Sequence, residues 1–231
     1  PIAPEVLQDM LEAASRASTC GNMQLYSLIV TQSRELREAL APCHFNQPMV
    51  TQAPCVITVC ADVHRFSMWC EQRDAEPCYD NFAWFLNGVT DALLAAQNLC
   101  VEAEAHGLGI CYLGTTIYTA EEIARILDLP KGVIPVTTIV VGHPDESPEL
   151  TDRLPLDAVV HCEKYHHYTS SEIDELWAEK ETSEETRRLL EENGLPNLAQ
   201  IFTRNRYRAE DNLAISRNYF ALLKKQGFFN N

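Results

Sequence analysis

At 231 residues, 46% hydrophobic and 22% charged, the chain is long enough to bury a full-sized core and is ordinary in composition for a globular protein. Its 33 acidic against 18 basic residues, a net charge of −15, exclude nucleic acid as a partner, because a phosphate backbone demands a basic surface. No apolar run reaches the ~20 residues of a membrane span, no signal-peptide pattern opens the chain, and nine scattered cysteines without a Cys-x-x-Cys pair read as reduced thiols, so a cytoplasmic protein without membrane contact or a structural metal is expected.

Val6, Leu7, Met10, Leu11 and Ala14 recur at helical spacing after Pro4 and predict a first helix over Pro1 to Ala17. Pro1 is not Met, and the natural chain is expected to begin upstream. Small polar residues then break the pattern from Ser18 to Gln24, which reads as a loop. Leu25 to Thr31 is β-branched and predicts a strand; Ser33 caps a short helix to Leu40; Pro42 to Gln52 is an irregular connection with a possible helical turn; Pro54 to Ala61 predicts a second, buried strand. Asp62 to Tyr79 is polar and aromatic without period, a loop or lid with helical turns.

The longest apolar stretch follows. Phe85, Val89, Ala92, Leu93, Ala96, Leu99, Cys100 and Ala103 share one helical face, with Asp80 or Asn81 as N-cap and Gly107 as left-handed terminator. Leu86, Leu94, Ala95 and Val101 lie on other faces, so this helix is expected to be covered on more than one side. Ile110 to Leu113 predicts a third strand and Val136 to Val141 a fourth. Between them Thr119, with Glu122 three residues on, has the pattern of a capping box. An acidic, proline-containing loop runs from Glu146 to Val160, and from Ser170 onward the chain reads as helical, divided at Asn193-Gly194-Leu195-Pro196, with a last helix over Asp211 to Lys225. The one compositional shift falls near residue 165. It suggests a core over 1–165 and a helical extension of the same domain over 166–231.

The chain shows no nucleophile elbow, zinc-protease motif, phosphate loop or dinucleotide fingerprint. His106 reads as a partner for the end of the long helix, and the histidines do not pair at metal spacing. An enzyme without its own acid–base kit is of the kind that takes its chemistry from a cofactor.

Three segments carry a resemblance. Ala14 to Tyr26, with its small-polar loop ending in Gly21-Asn22-Met23-Gln24, resembles the first signature of the nitroreductase family; Ala95 to Gly114 resembles its second. Pro135 to Asp145 with Asp152-Arg153-Leu154-Pro155 and His161 to Tyr165 resembles its third, and Gln226-Gly227-Phe228 resembles the tail of its NADPH-preferring flavin reductase and oxygen-insensitive nitroreductase subgroup.

The resemblance implies an α+β fold: a central, mainly antiparallel sheet flanked by helices around a long core helix, with a C-terminal helical extension wrapping the partner in a homodimer. It implies FMN at the subunit interface, NADPH or NADH as electron donor, and a small-molecule electron acceptor such as a nitroaromatic, quinone or free flavin. By position, Ser18, Thr19, Cys20, Gly21, Asn22 and Gln24 would line the flavin, with Gln47 as a ring amide and Tyr112, Gly114 and Thr115 beside the ring face. Arg153 would clasp the FMN phosphate, for which a bidentate guanidinium is apt, and Arg204 matches a loop arginine for NAD(P)H. No side chain is expected to be catalytic, since the flavin carries the chemistry. Two features bear on the family pattern: its Arg-Ser-x-Arg motif lies upstream of the first helix, where this chain starts too late to show it, and Thr151 stands where a lysine is usual. The alternative reading is a flavin-binding protein of the same fold with little turnover.

Overall fold

Four segments pair into one antiparallel sheet of order β1-β2-β4-β3: Tyr26–Thr31 (β1), Cys55–Asp62 (β2), Gly109–Leu113 (β3) and Val133–Gly142 (β4). The computed structural model describes residues 1–229 of the chain. Pro135 is tolerated inside β4 because it falls at a register shift opposite Val59 and Cys60, where the ladder is interrupted.

The helices are α1 (Pro4–Ser15), α2 (Arg34–Leu40), α3 (Pro48–Gln52), α4 (His64–Glu71), α5 (Phe82–Ala105), α6 (Ala120–Ile126), α7 (Ser170–Thr182), α8 (Glu184–Asn193), α9 (Leu198–Ile201) and α10 (Ala209–Lys225). The α+β architecture, the antiparallel sheet and the long core helix are as expected, and within Asp62 to Tyr79, expected as a loop or lid with helical turns, residues His64–Glu71 form the helix α4. The strands alternate their side chains between two faces. Ile57, Val59, Ile139 and Val141 bury against Met10, Ala92, Ala96 and Leu99 of α1 and α5, whereas Val56, Val140 and Leu113 pack with Ala41 and Val50 on the other side.

Asn81 caps α5 by accepting from Trp84 N–H at 3.3 Å, and Gly107, at φ +73°, ends it. Among the described residues only one side of α5 is covered. Leu86, Leu93, Leu94 and Val101 are 43–57% exposed, so the cover expected on a second side is not supplied by these elements. Gly88 lets α5 approach the sheet closely: a Cβ there would lie 3.1 Å from Ala61 Cβ and 3.2 Å from the Leu25 carbonyl. The expected capping box at Thr119 is absent. That hydroxyl donates instead to the Cys43 carbonyl at 2.8 Å, while Glu122 pairs with Arg125; the reciprocal box occurs at Thr169 and Glu172, at the start of α7.

The chain forms two compact units, Pro1–Asp145 with the stretch from Ile215 onward, and Glu146–Ala214, so contacts do not divide near residue 165. In the first unit Leu222, Leu223 and Phe228 bury against Leu25, Ala61, Phe85 and Ile134. Gly132 N–H donates to the Gln226 carbonyl at 3.0 Å, and Phe228 is fully buried. The end of the last helix therefore has a partner within its own chain. The second unit consists of α7 to α9, an acidic loop before them and the beginning of α10, with Thr186, Leu198 and Ile201 buried. No helix among the described residues is long and apolar enough to cross a membrane.

Candidate functional site

The Ser18–Gln24 loop is built on left-handed backbone. Gly21, Asn22 and Gln24 have φ of +55°, +55° and +54°, a conformation that Gly adopts freely and Asn tolerates. Such a loop needs an external anchor, and the anchor is Asp91. Its carboxylate, 1% exposed on the buried face of α5, accepts from Thr19 Oγ1, from Cys20 N–H at 2.9 Å and from Leu25 N–H at 3.1 Å. Gln24 N–H donates in turn to Thr19 Oγ1 at 2.9 Å. The Thr19 hydroxyl is thus committed to holding the loop, while Ser18, Gly21, Asn22 and Gln24 are exposed and Cys20 is half-buried.

Below the loop a second buried acid, Asp62, accepts from Ser27 Oγ at 2.5 Å and from Arg65 N–H at 3.2 Å. The Arg65 guanidinium donates to the carbonyls of Gln24 and Tyr26 and lies 3.5 Å from Asp62. Asp91, Asp62 and Arg65 were missed from sequence. For Asp91 a signal existed: it is the one acid within the apolar run Phe82 to Val101, and it falls a helical turn from Gly88 and Ala95 on the buried face. Buried acids of this kind are rare unless hydrogen-bonded for a purpose.

The second segment lies at the opposite edge of the sheet. Ala41–His44 forms a 3₁₀ turn that ends with Phe45 and Asn46 both at φ +55°, and Gln47 then caps α3. His44 is fully buried, and its Nδ1 lies 2.8 Å from Thr115 Oγ1. Burial pushes its pKa down to about 4, so the ring is neutral at pH 7, and its Nε2 has no partner among the described residues. With Thr119 donating to Cys43, this contact draws the Gln47 turn onto the Gly114–Ile117 turn that follows β3. The turns that carry Gln47 and Gly114–Thr115 are thereby brought together. A Cβ added at Gly114 would meet nothing within 4 Å, so the backbone there faces open space. Tyr112 points toward the Cys100 side of β3, is 37% exposed, and has its hydroxyl pKa raised by burial.

Arg153 belongs to the second compact unit. Its guanidinium donates to Thr151 Oγ1 at 2.6 Å and the Asp152 carbonyl at 2.8 Å, neutral oxygens only, while the Asp152 carboxylate pairs with Lys180 at 2.9 Å. It lines a groove of about 830 Å³ with Leu154, Ile173, Trp177 and Phe202. Arg204 lies in a single π-helical turn, Phe202–Arg206. Arg206 stacks over Phe202 at 5.4 Å and Arg208 pairs with Glu210 and Asp211, leaving Arg204 exposed and without an ion pair among the described residues.

Neutral hydroxyls, amides and backbone groups at two loop clusters can orient an uncharged planar ring by hydrogen bonds and close backbone approach. The described residues include no cluster of three His, Cys, Asp or Glu suited to a metal ion.

Comparison with known proteins identifies the family. The family model described as "Nitroreductase family" matches residues 1–143. A Bacillus subtilis protein named FMN reductase (NADPH) is 32% identical over 71% of this chain and 67% of its own length. Among solved structures, a candidate oxidoreductase of Bacteroides fragilis superposes with a TM-score of 0.97 at 49% identity, covering 99% of this chain and 93% of that one. An NADPH:FMN oxidoreductase of Vibrio harveyi complexed with NAD⁺ gives 0.81 at 25% identity, with 100% and 92% covered. With more than half of its length matched by the family model and its sheet, core helix and loop clusters in place, the chain belongs to the nitroreductase family.

Proposed function

We propose that the protein is a homodimeric, FMN-dependent NAD(P)H oxidoreductase that reduces electron-poor acceptors such as nitroaromatics, quinones or free flavins. The observation that carries this reading is the position of the two pinned segments. The Ser18–Gln24 loop enters β1 and the Gly114–Thr115 turn leaves β3, and these are the two edge strands of the sheet. Three inter-strand spacings separate them, about 14 Å, so each edge of the sheet presents one half of the lining. A second copy would bring its own half alongside, and the uncovered Leu86, Leu93, Leu94 and Val101 face of α5 offers the apolar surface for it.

The residues fit FMN. Asn22, Gln24 and Gln47 present amides to a neutral ring, and the open space at Gly114 accommodates the ring beside the main chain. Arg153, whose present partners are all neutral, has an unspent charge for the phosphate, and Arg204 is the corresponding cation for the dinucleotide. When bound, FMN would supply hydride acceptance from NAD(P)H and electron delivery to the acceptor. The chain's own part is to hold ring and phosphate, keep water from the ring face, and leave room for donor and acceptor in turn. The relative named FMN reductase (NADPH) and the Vibrio harveyi structure with NAD⁺ point to the same cofactor pair.

The test is an anaerobic titration of FMN-reconstituted protein with NADPH, expected to bleach the flavin, followed by menadione, expected to restore it. Protein that FMN cannot reconstitute sinks the proposal; a yellow protein that NADPH leaves unbleached supports flavin binding without turnover. Arg153→Ala should weaken FMN by roughly 30- to 1000-fold and leave riboflavin, which lacks the phosphate, unchanged.

A further inference from the structure

Phe45 is the least expected residue beside the candidate site. It ends the Ala41–His44 turn at φ +55°, ψ +30°, a position where glycine is the usual occupant because a Cβ is strained there. Asn46 repeats the conformation, but asparagine tolerates it and phenylalanine does not. The strain is fixed from several sides. Phe45 N–H donates to the Pro42 carbonyl at 3.2 Å, Asn46 N–H to Ala41 at 2.9 Å and Gln47 N–H to His44 at 3.1 Å, with His44 itself tied to Thr115.

Strain of this kind is ordinarily offset by burial, yet the Phe45 ring is 63% exposed. Its described aromatic neighbour is Tyr118, 6.1 Å away and tilted by 43°, at the end of the turn that begins with Gly114. A bulky aromatic is thus held rigidly in the open between two segments assigned to the flavin, where a glycine would serve the backbone better.

We propose that Phe45 forms one wall of the acceptor pocket and stacks on planar, aromatic or quinonoid acceptors, selecting them over acceptors that present no flat face. This rests on the functional reading above and deepens it by assigning acceptor shape to one side chain. An exposed ring offered to an electron-poor π-system contributes offset stacking, worth roughly three- to tenfold in binding. Its left-handed backbone restricts where the ring can go, so little orientational freedom is lost when the acceptor arrives.

The experiment compares kcat/KM for menadione, a flat quinone, with that for ferricyanide, an octahedral anion that cannot stack. NADPH is the donor, and the FMN-loaded parent is set against Phe45→Ala, Phe45→Gly and Phe45→Tyr. The menadione-to-ferricyanide ratio should fall about three- to tenfold in the Ala and Gly variants and stay near the parent value in Phe45→Tyr. Phe45→Gly should also melt no lower than the parent, since it removes the strained Cβ. A ratio within twofold of the parent in both truncations overturns the assignment. So does a fall matched by dissociation of the Phe45→Gly dimer in sedimentation, which would make Phe45 a subunit contact. A parent that NADPH does not reduce overturns the functional reading and this one with it; a working parent with an unchanged ratio overturns this one alone.

Discussion

The Ser18–Leu25 loop and the Cys43–Gln47 turn both display left-handed backbone at an edge of the same sheet, but the groups beneath them differ in charge. Under the first lies a carboxylate: Asp91 gathers two backbone N–H groups and a hydroxyl, all donors. Beneath the second is a fully buried imidazole, His44, kept neutral by its surroundings and bonded to the Thr115 hydroxyl. Converging donors call for an anion, whose desolvation they offset; a pocket without a counter-charge holds only a neutral ring. One edge of the site is therefore vulnerable to losing a charge and the other to gaining one.

Removing the charge should have the largest effect. Asp91→Ala leaves Thr19, Cys20 and Leu25 without their shared acceptor in a buried setting, and roughly 3–5 kcal/mol of stability should be lost in urea unfolding. FMN affinity should fall with the loop geometry. A loss under about 1 kcal/mol would mean that the loop keeps its shape without the carboxylate, and the contrast between the edges would collapse.

Adding a charge should come next. His44 has its folded pKa lowered to about 4, against about 6.5 unfolded. The folded state therefore binds fewer protons between these values, and stability is lost as pH falls from 6.5 toward 4 while remaining level above 6.5. The expected difference between pH 7 and pH 4 is about 3 kcal/mol larger in the parent than in His44→Gln, which cannot titrate. Equal pH dependence in the two proteins would show that His44 gains its proton without strain.

The smallest effect on folding belongs to Gly114→Ala. Nothing lies within 4 Å of the added methyl, so stability should change by no more than ~0.5 kcal/mol. FMN affinity should nonetheless drop several-fold, because the methyl enters the space assigned to the ring. Unchanged FMN binding would move the ring away from this turn and separate Gly114 from Gln47 in function.

The strands and the long helix were legible because their cues are local: β-branched runs between turn residues, and apolar residues at helical spacing after a capping Asn81. The loops matching the family's motifs were legible as polar punctuation. What held them was not, since each anchor comes from far along the chain. Asp91 reaches residues 66 to 72 positions earlier, and His44 meets Thr115 across 71 positions. Thr119 illustrates the limit from the other side. Its local pattern asked for a capping box, but the Cys43 carbonyl, close only in the folded state, took the hydroxyl. Likewise the glycine-like demand at Phe45 is invisible in sequence, because the residue there gives no hint of a left-handed turn.

Phe228 has a bearing on how the molecule is made. It lies fully buried among Leu25, Phe85 and Ile134, yet it follows them in sequence only after the whole Glu146–Ala214 unit. On a ribosome adding about 5–20 residues per second, the first unit would wait roughly 4–17 s between completion of its sheet and arrival of the side chain that closes this end of its core. Through that interval an aromatic-lined socket stands open on a nearly finished sheet. Newborn copies would be at their stickiest in those seconds.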